Sequence, residues 1–300
     1  MSAFPIDMDT LRQAAAAYKP GERRVWAFQI TAQSGHTRDL TLSHAEFLAM
    51  AEALTRLLER AAGREVLGVG VSMPGPFDYE SGVSRMRGLG KFETIHDLAL
   101  AREVAARETA LAGLRWRWLN DARAFALGEL RHGAAAGAKR AIFLTLGTGC
   151  GSAFAVDDRL VTDGAGVPDG GYVYALRHGE HNIDELLSAR GLLGLWHEVA
   201  KGDERGPSVR TAGDVGRLAQ SGDPRALEAL RRFGVLIASA LAPVFIEFEP
   251  DVIVLGGRVS RSLPYFGPAA RAAGAPPLVA AAEPDVAALR GAALHFLEGR

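Results

Sequence analysis

A turn with three glycines between two apolar segments constrains the fold of this chain more than any other sequence feature. Residues 141–146 and 152–156 have the apolar pattern of β-strands, and residues 147–151 between them read Gly-Thr-Gly-Cys-Gly. Glycine lets backbone N–H groups wrap an anion, and threonine hydroxyls add hydrogen-bond donors. Residues 147–151, here called the glycine turn, therefore predict either a phosphate-binding turn or a tight hairpin turn without a ligand.

A polar pair follows a second predicted strand. Residues 114–119 place arginines between leucine and tryptophan, and they stop at Asn120 and Asp121, where an alanine-rich helix begins and continues to about residue 135. A carboxylate at this position commonly caps the helix. It can also act as a general base, because open α/β sheets bind ligands at the carboxyl ends of their strands. The two roles are compatible, and the sequence leaves both open.

Ser72 lies in a pattern that is similar to the nucleophile elbow of hydrolases. Residues 66–71 have the pattern of a buried strand, and residues 70–76 read Gly-Val-Ser-Met-Pro-Gly-Pro. Pro74 stands where the Gly-x-Ser-x-Gly elbow has its last glycine, and proline suits a broad loop better than that strained turn. The sequence therefore disfavours a serine hydrolase and predicts that Ser72 is a turn residue or contacts a ligand.

Another strand pattern ends in paired glycines. Residues 251–255 indicate a strand, which leads into Gly256 and Gly257. Paired glycines permit close approach to a nucleotide, and they equally suit an ordinary turn. The chain has neither a Gly-x4-Gly-Lys-Ser/Thr sequence nor a Gly-x-Gly-x-x-Gly that opens a helix. Neither a P-loop enzyme nor a Rossmann dehydrogenase is therefore supported.

The remaining segments complete a pattern of strands and helices. We expect a strand at residues 25–30, helices at 43–60, 224–248 and 286–297, and a hairpin turn at Asp157-Asp158. This pattern predicts an α/β fold. Because 300 residues exceed what one compact core usually needs, we expect two lobes.

Composition excludes several classes of protein. The 34 basic and 35 acidic residues are mixed along the chain and leave a net charge of -1, which argues against binding to nucleic acid or to an anionic membrane. The first residues lack a signal-peptide pattern, and no segment offers about 18 uninterrupted apolar residues, so we expect a cytoplasmic protein. The single cysteine, Cys150, excludes an intramolecular disulfide and every multi-cysteine zinc site. His178 and His181 are then expected to be a solvated loop pair rather than metal ligands.

Taken in order, four motifs resemble those of the ROK sugar kinases. They are residues 70–76, Asn-Asp-Ala-Arg-Ala at 120–124, Leu-Gly-Thr-Gly-Cys-Gly at 146–151 and Val-Leu-Gly-Gly at 254–257. The resemblance runs from about residue 66 to the end, where residues 289–294 are similar to the closing helix of that family.

The resemblance implies an α/β protein with the actin-like ATPase fold, in which two ribonuclease-H-like lobes surround a cleft for ATP and sugar. The expected lobes are residues 1–125, shortened or reworked, and residues 126–300, with the last helix packing back on the first lobe. The resemblance also implies a homodimer.

Site residues follow from the resemblance position by position. Asp121 would accept the proton of a sugar hydroxyl, and Asn120 would hold a sugar hydroxyl. Magnesium would neutralise the phosphates of ATP, which matches the need of phosphoryl transfer for positioning and charge neutralisation. The residues expected to contact sugar are Ser72, Pro74, Gly75, Asn120, Asp169 and Tyr172. The residues expected to contact ATP are Thr145, Gly147, Thr148, Gly149, Gly151, Gly256 and Gly257.

The sequence also departs from the family pattern. The first phosphate loop of the family, Asp-x-Gly-Gly-Thr, should lie near residues 28–37, where the acidic residue and the paired glycines are missing. No cysteine-rich zinc loop is possible, so we expect no zinc, and Asp169 and Tyr172 stand in for a glutamate and a histidine that bind sugar in many members. Residues 1–24 are too short for the winged helix-turn-helix of the family's repressors. Two hypotheses result: an ATP-dependent kinase of a sugar or polyol-like molecule, and a non-catalytic, sugar-binding or regulatory pseudokinase.

Overall fold

The computed structural model describes residues 24–29, 66–88, 95–107, 111–201, 208–284 and 286–299. The chain packs as two compact units: the first unit takes the chain up to Gly128 and from Ala288 onward, and the second unit runs from Glu129 to Ala287. The helix expected at residues 43–60, and all but the start of the segment at 28–37, lie outside the described residues.

The described elements are numbered in chain order. The strands are β1 (Arg24–Gln29), β2 (Val66–Met73), β3 (Phe77–Asp78), β4 (Val83–Ser84), β5 (Trp116–Asn120), β6 (Arg140–Leu146), β7 (Cys150–Val156), β8 (Arg159–Val161), β9 (Arg177–His178), β10 (His181–Asn182), β11 (Val252–Gly256) and β12 (Leu278–Ala280). The α-helices are α1 (Leu100–Arg107), α2 (Asp121–His132), α3 (Ile183–Leu186), α4 (Ala189–Val199), α5 (Ala212–Gln220), α6 (Pro224–Phe248), α7 (Leu263–Ala272) and α8 (Ala287–Glu298).

In the first unit, β1, β2 and β5 form a parallel sheet with β2 in the middle. Alternate residues of β2 face opposite sides of the sheet. On one side, Val71 and Met73 pack in an apolar cluster that includes Trp118. On the other side, glycines let α8 lie close: a Cβ on Gly70 would stand 2.5 Å from the carbonyl oxygen of Ala292. Gly68 and Gly70 of β2 therefore serve helix packing.

In the second unit, five strands form a sheet in the order β12-β11-β6-β7-β8. Only β7 runs antiparallel to the other four of these strands. The turn between β7 and β8 is made by Asp157 and Asp158, whose φ angles of 46° and 63° suit a two-residue hairpin. The predicted hairpin is confirmed, and the sheet has the strand order and the single reversed strand of a ribonuclease-H-like lobe.

Helix α6 is the central helix of the second unit. It begins after Asp223, whose side chain accepts hydrogen bonds from the N–H groups of Arg225 and Ala226, and it spans the predicted 25 residues. Among the described helices, it alone is long and apolar enough to cross a membrane, and 56% of its most apolar stretch is buried within the protein. Its buried residues pack with β6, β7 and α7 in one apolar cluster, as expected of a core helix.

Candidate functional site

Three of the residues expected to contact sugar, Pro74, Gly75 and Asn120, lie in the first unit at the carboxyl ends of two neighbouring strands. Met73 of β2 lies beside Asn120 of β5 in the parallel register. Pro74 and Gly75 therefore begin the loop next to the start of α2, where Asp121 lies. This edge is where open α/β sheets place ligands.

Asn120 is held rigidly at this edge. Its Oδ1 accepts hydrogen bonds from the N–H groups of Ala122 (3.1 Å) and Arg123 (3.2 Å), so Asn120 is the N-cap of α2. Its Nδ2 donates to the hydroxyl of Tyr79 (3.1 Å), which donates to the carbonyl oxygen of Met73 (3.1 Å). Asn120 is only 7% exposed, so its amide keeps one orientation. Tyr79 is a positioning residue that the sequence did not reveal.

Asp121 is the first residue of α2, and it is partly exposed. Its Oδ1 accepts a hydrogen bond from the N–H of Ala122 at 2.9 Å. The interpretation of the carboxylate as the helix cap needs correction, because Asn120 accepts the bonds of the second and third helical N–H groups. A carboxylate in the first helical turn is also stabilised by the helix dipole.

Ser72 is fully buried on β2. It lies on the same side of the strand as Gly70, toward α8. Its Oγ has no hydrogen-bond partner among the described residues. A contact of Ser72 with a ligand stays a prediction.

A cavity of about 360 Å³ opens along β5 in the first unit. Asn120 lines it together with aromatic and charged side chains. His295 of α8 lies in its wall, and burial lowers the pKa of this histidine, as does the nearby charge of Arg117. The lining residues are Tyr79, Glu80, Trp116, Arg117, Trp118, Leu119, Asn120, Arg123 and His295.

In the second unit, the two glycine motifs lie at one edge of the sheet. Thr145 of β6 and Gly256 of β11 are partners in the parallel register, so the glycine turn and Gly257 follow neighbouring strand ends. Gly257 has a φ of 80°, and a Cβ there would stand 2.3 Å from the carbonyl oxygen of Leu146. Close backbone packing thus accounts for Gly257. A contact of this glycine with adenosine remains a prediction.

The glycine turn is held by its own backbone and by the first residue of α4. The N–H of Gly147 donates to the carbonyl oxygen of Gly149 (2.9 Å), and the carbonyl oxygen of Gly147 accepts from the N–H of Ala189 (2.8 Å). Thr148 is exposed at the tip. A Cβ on Gly147 would meet nothing within 4 Å among the described atoms, so a ligand has room to approach there.

Asp184 of α3 holds the glycine turn in place, although the sequence motifs described above did not include it. Its Oδ1 accepts a hydrogen bond from the N–H of Cys150 at 2.8 Å, and its Oδ2 pairs with Arg190 at 3.0 Å. Burial, and then the charge of Asp184, raise the pKa of the Cys150 thiol far above its usual value. The thiol therefore stays protonated near neutral pH, which argues against a nucleophilic role.

Asp169 and Tyr172 lie on a loop fastened to β7. Ser152, a buried residue of β7, donates its hydroxyl to the carbonyl oxygen of Gly171 (2.7 Å) and accepts from the N–H of Val173 (2.9 Å). Asp169 is exposed and Tyr172 is half-buried. The structure fixes this loop within the second unit, and a role of its two side chains in sugar binding remains a prediction.

His178 and His181 face each other across the short hairpin of β9 and β10. His181 lies 3.3 Å from Glu185, and both side chains are exposed. Within the part of the chain that the structure describes, no group of three or more His, Cys, Asp or Glu side chains could hold a metal ion.

Comparison with known proteins identifies the family. The family model described as "ROK family" matches residues 36–298, and the chain belongs to this family. It is 30% identical over 249 residues to a glucokinase of Thermotoga maritima, covering 77% of each chain. It is 26% identical to an N-acetyl-D-glucosamine kinase of Haemophilus influenzae, covering 78% of this chain and 81% of that protein. Both of these relatives are named as sugar kinases.

Solved structures show the same fold. A ROK hexokinase from Thermus thermophilus matches with a TM-score of 0.62 and 28% identity, covering 90% of each chain. A ROK glucokinase from Streptomyces griseus, solved with glucose and AMPPNP, matches with a TM-score of 0.62 over 82% of this chain and 87% of that chain, at 20% identity. The expected α/β, actin-like ATPase fold is therefore confirmed.

Proposed function

We propose that this protein transfers the γ-phosphoryl group of ATP to a hydroxyl of a hexose or an N-acetylhexosamine, with Asp121 as the general base. The observation that carries the proposal is the position of Asp121: it follows the carboxyl end of β5 directly and adjoins the fixed amide of Asn120. The class of substrate is supported by relatives named as a glucokinase and an N-acetyl-D-glucosamine kinase.

The reaction assigns a task to each unit. In the first unit, Asn120 orients the sugar and the carboxylate of Asp121 accepts the hydroxyl proton. The hydroxyl oxygen forms a bond to the γ-phosphorus while the bond from that phosphorus to the β-phosphate oxygen breaks, and ADP leaves. In the second unit, the backbone of the glycine turn binds the phosphates of ATP, and the room beside Gly147 fits such a ligand. Magnesium, when bound with ATP, neutralises phosphate charge.

A second candidate function is sugar-dependent regulation without catalysis. It is favoured by residues 28–37, which lack the acidic residue and paired glycines of the family's first phosphate loop. Loss of a phosphate-binding loop removes stabilisation where charge develops in the transition state. In this reading the same first-unit residues bind a sugar, and ATP is not turned over.

Titration calorimetry with magnesium-ATP and, separately, with hexoses, amino sugars and inositols, followed by an ADP-release assay over the same compounds, separates the two functions. Micromolar ATP binding with turnover on any of these compounds supports the kinase. Sugar binding without ATP binding supports the regulator.

The role of Asp121 has its own test. Asp121→Asn should abolish transfer and leave the Kd for the sugar within about tenfold, because a general base acts on the reaction more than on binding. Glu198→Gln, which changes an exposed carboxylate of α4, is the control and should retain turnover. Equal loss of binding and transfer in Asp121→Asn would show that Asp121 is mainly a sugar ligand or a structural residue.

A further inference from the structure

The glycine turn is attached to one segment of the second unit through two hydrogen bonds. The N–H of Ala189, the first residue of α4, donates to the carbonyl oxygen of Gly147 at 2.8 Å. Five residues earlier, Asp184 accepts from the N–H of Cys150 at 2.8 Å. Both ends of the turn are thus held by residues 184–189, which are distant from it in sequence.

Asp184 also touches the turn at its middle. A Cβ on Gly149 would stand only 2.3 Å from Asp184 Oδ1, so the carboxylate fills the space that a side chain would occupy. Gly147, on the open part of the turn, has no such neighbour among the described residues. One face of the turn is therefore closed by Asp184, and the backbone at Gly147 is left for a ligand.

Asp184 is itself held in place from two directions. It lies in the first turn of α3, which begins with a capping box formed by Asn182 and Glu185. On its other side, Oδ2 pairs with the guanidinium of Arg190 at 3.0 Å. A fixed carboxylate can impose one conformation on a glycine-rich segment, which otherwise loses much entropy on ordering. The charge of Arg190 offsets the negative charge that Asp184 places behind a phosphate site.

We infer that Asp184 is a positioning residue, which keeps the glycine turn in the shape that binds the phosphates of a nucleoside triphosphate. The inference rests on the proposed function only for the identity of the ligand. The contact by which Asp184 fixes the shape of the turn does not depend on that function. The group that carries this role is the side-chain oxygen of Asp184, which accepts the hydrogen bond from Cys150. Asparagine also offers an acceptor oxygen at this position, whereas alanine offers none.

The experiment compares the full-length protein with its Asp184→Ala and Asp184→Asn variants. The hydrogen-exchange rate of the Cys150 amide reports whether Asp184 keeps the turn in place, and calorimetry with magnesium-ATP reports the Kd for ATP. Asp184→Ala should speed exchange at Cys150 and raise the Kd for ATP at least tenfold, about 1.4 kcal/mol. Asp184→Asn should keep slow exchange and a Kd within about threefold of the wild type, because the hydrogen bond survives. Glu198→Ala, which removes an exposed carboxylate of α4, is the control and should change neither quantity.

Each outcome has a distinct meaning. If the Cys150 amide exchanges at the same rate in Asp184→Ala and in the wild type, the positioning role is wrong. If exchange rises while the Kd for ATP is unchanged, the turn does not bind the phosphates and the inference about the ligand fails. If the wild type binds no ATP and Asp184→Ala still loses protection at Cys150, Asp184 does position the turn and the proposed function fails. In a protein that turns over sugar, the KM for ATP should rise in Asp184→Ala and the KM for sugar should not, a split that general loss of folding would not produce.

Discussion

Gly147 and Gly149 are two residues apart, and a side chain at each would meet different surroundings. A Cβ at Gly147 has space around it in the described structure, whereas one at Gly149 would collide with the carboxylate of Asp184. A small side chain at Gly147 thus enters only the space left for a ligand, whereas one at Gly149 would displace the side chain of Asp184.

These surroundings predict opposite effects for two matched substitutions. Gly147→Ala should change the free energy of unfolding by no more than about 0.5–1 kcal/mol and should weaken ATP binding. Gly149→Ala should lower the free energy of unfolding by about 1–3 kcal/mol, because an inserted methyl group displaces Asp184. Urea unfolding and calorimetry measure the two quantities on the same samples. A destabilised Gly147→Ala beside a stable Gly149→Ala would contradict the assignment.

At the scale of single residues, the sequence predicted the residues that belong to recognisable motifs. It did not predict the residues that hold those motifs in place through hydrogen bonds. Asn120 and Asp121 were found because they end a strand pattern and start a helix pattern. Tyr79, Ser152 and Asp184 act through contacts with residues 19–41 positions away, as the hydrogen bonds to Asn120, Gly171 and Cys150 show. No local pattern encodes such pairs. The capping box at Asn182 and Glu185 was the one available signal that α3 begins there and contains Asp184.

At the scale of elements, α8 is joined to β5 and to the residue before it as well as to β2. Arg117 donates to the carbonyl oxygen of His295 at 3.4 Å, and the guanidinium of Arg115 lies 4.7 Å from the centre of the Phe296 ring. His295 is partly buried in this junction. Burial lowers the pKa of its imidazole, the charge of Arg117 lowers it further, and the charge of Glu298 and a hydrogen bond with the backbone of Trp118 oppose this only in part.

The lowered pKa of His295 predicts a pH dependence of stability. Below its ordinary pKa of 6.5 the unfolded chain binds a proton at this residue more readily than the folded protein does. The contribution of His295 to the free energy of unfolding is therefore complete above pH 6.5, and it is lost as the pH falls through the folded-state pKa. Denaturant unfolding of His295→Gln from pH 5 to about 7.5 should show a weaker loss of stability in acid than the wild type. His197→Gln, an exposed position on α4, should follow the wild type, and a His295→Gln curve parallel to it would refute the prediction.

Elements with strong periodicity were predictable, and their ends were less so. The predicted helix at residues 224–248 matches α6, because an N-cap aspartate and Pro224 mark its start. The helix after Asp121 was expected to reach about residue 135, yet α2 ends at His132. Glu129, which is buried, supplies the reason. Its carboxylate accepts a hydrogen bond from the N–H of Ala134 (2.8 Å), and this bond takes the place of a helical backbone hydrogen bond.

At the scale of the whole molecule, the chain enters the second unit once and returns to the first unit once. The second unit is a continuous stretch with its own five-stranded sheet and its own apolar cluster. The first unit is discontinuous, because its last helix comes from the end of the chain. A Cβ on Gly291 of α8 would stand 1.8 Å from the carbonyl oxygen of Ala124, so α8 lies against the backbone of α2 as closely as it lies against β2.

This connectivity predicts what truncation does. A chain that ends at Val286 lacks α8, and the side of β2 with Gly68 and Gly70 is then exposed, because these two glycines have no side chains to fill the gap. The first unit should lose its cooperative thermal transition, whereas the second unit keeps every described strand of its sheet and should still unfold cooperatively. Calorimetry and hydrogen exchange on the truncated chain test this, with a chain that ends at Glu298 and retains all of α8 as the control. If the Val286 truncation abolishes protection in both units together, the second unit does not fold independently and the two units form one cooperative structure.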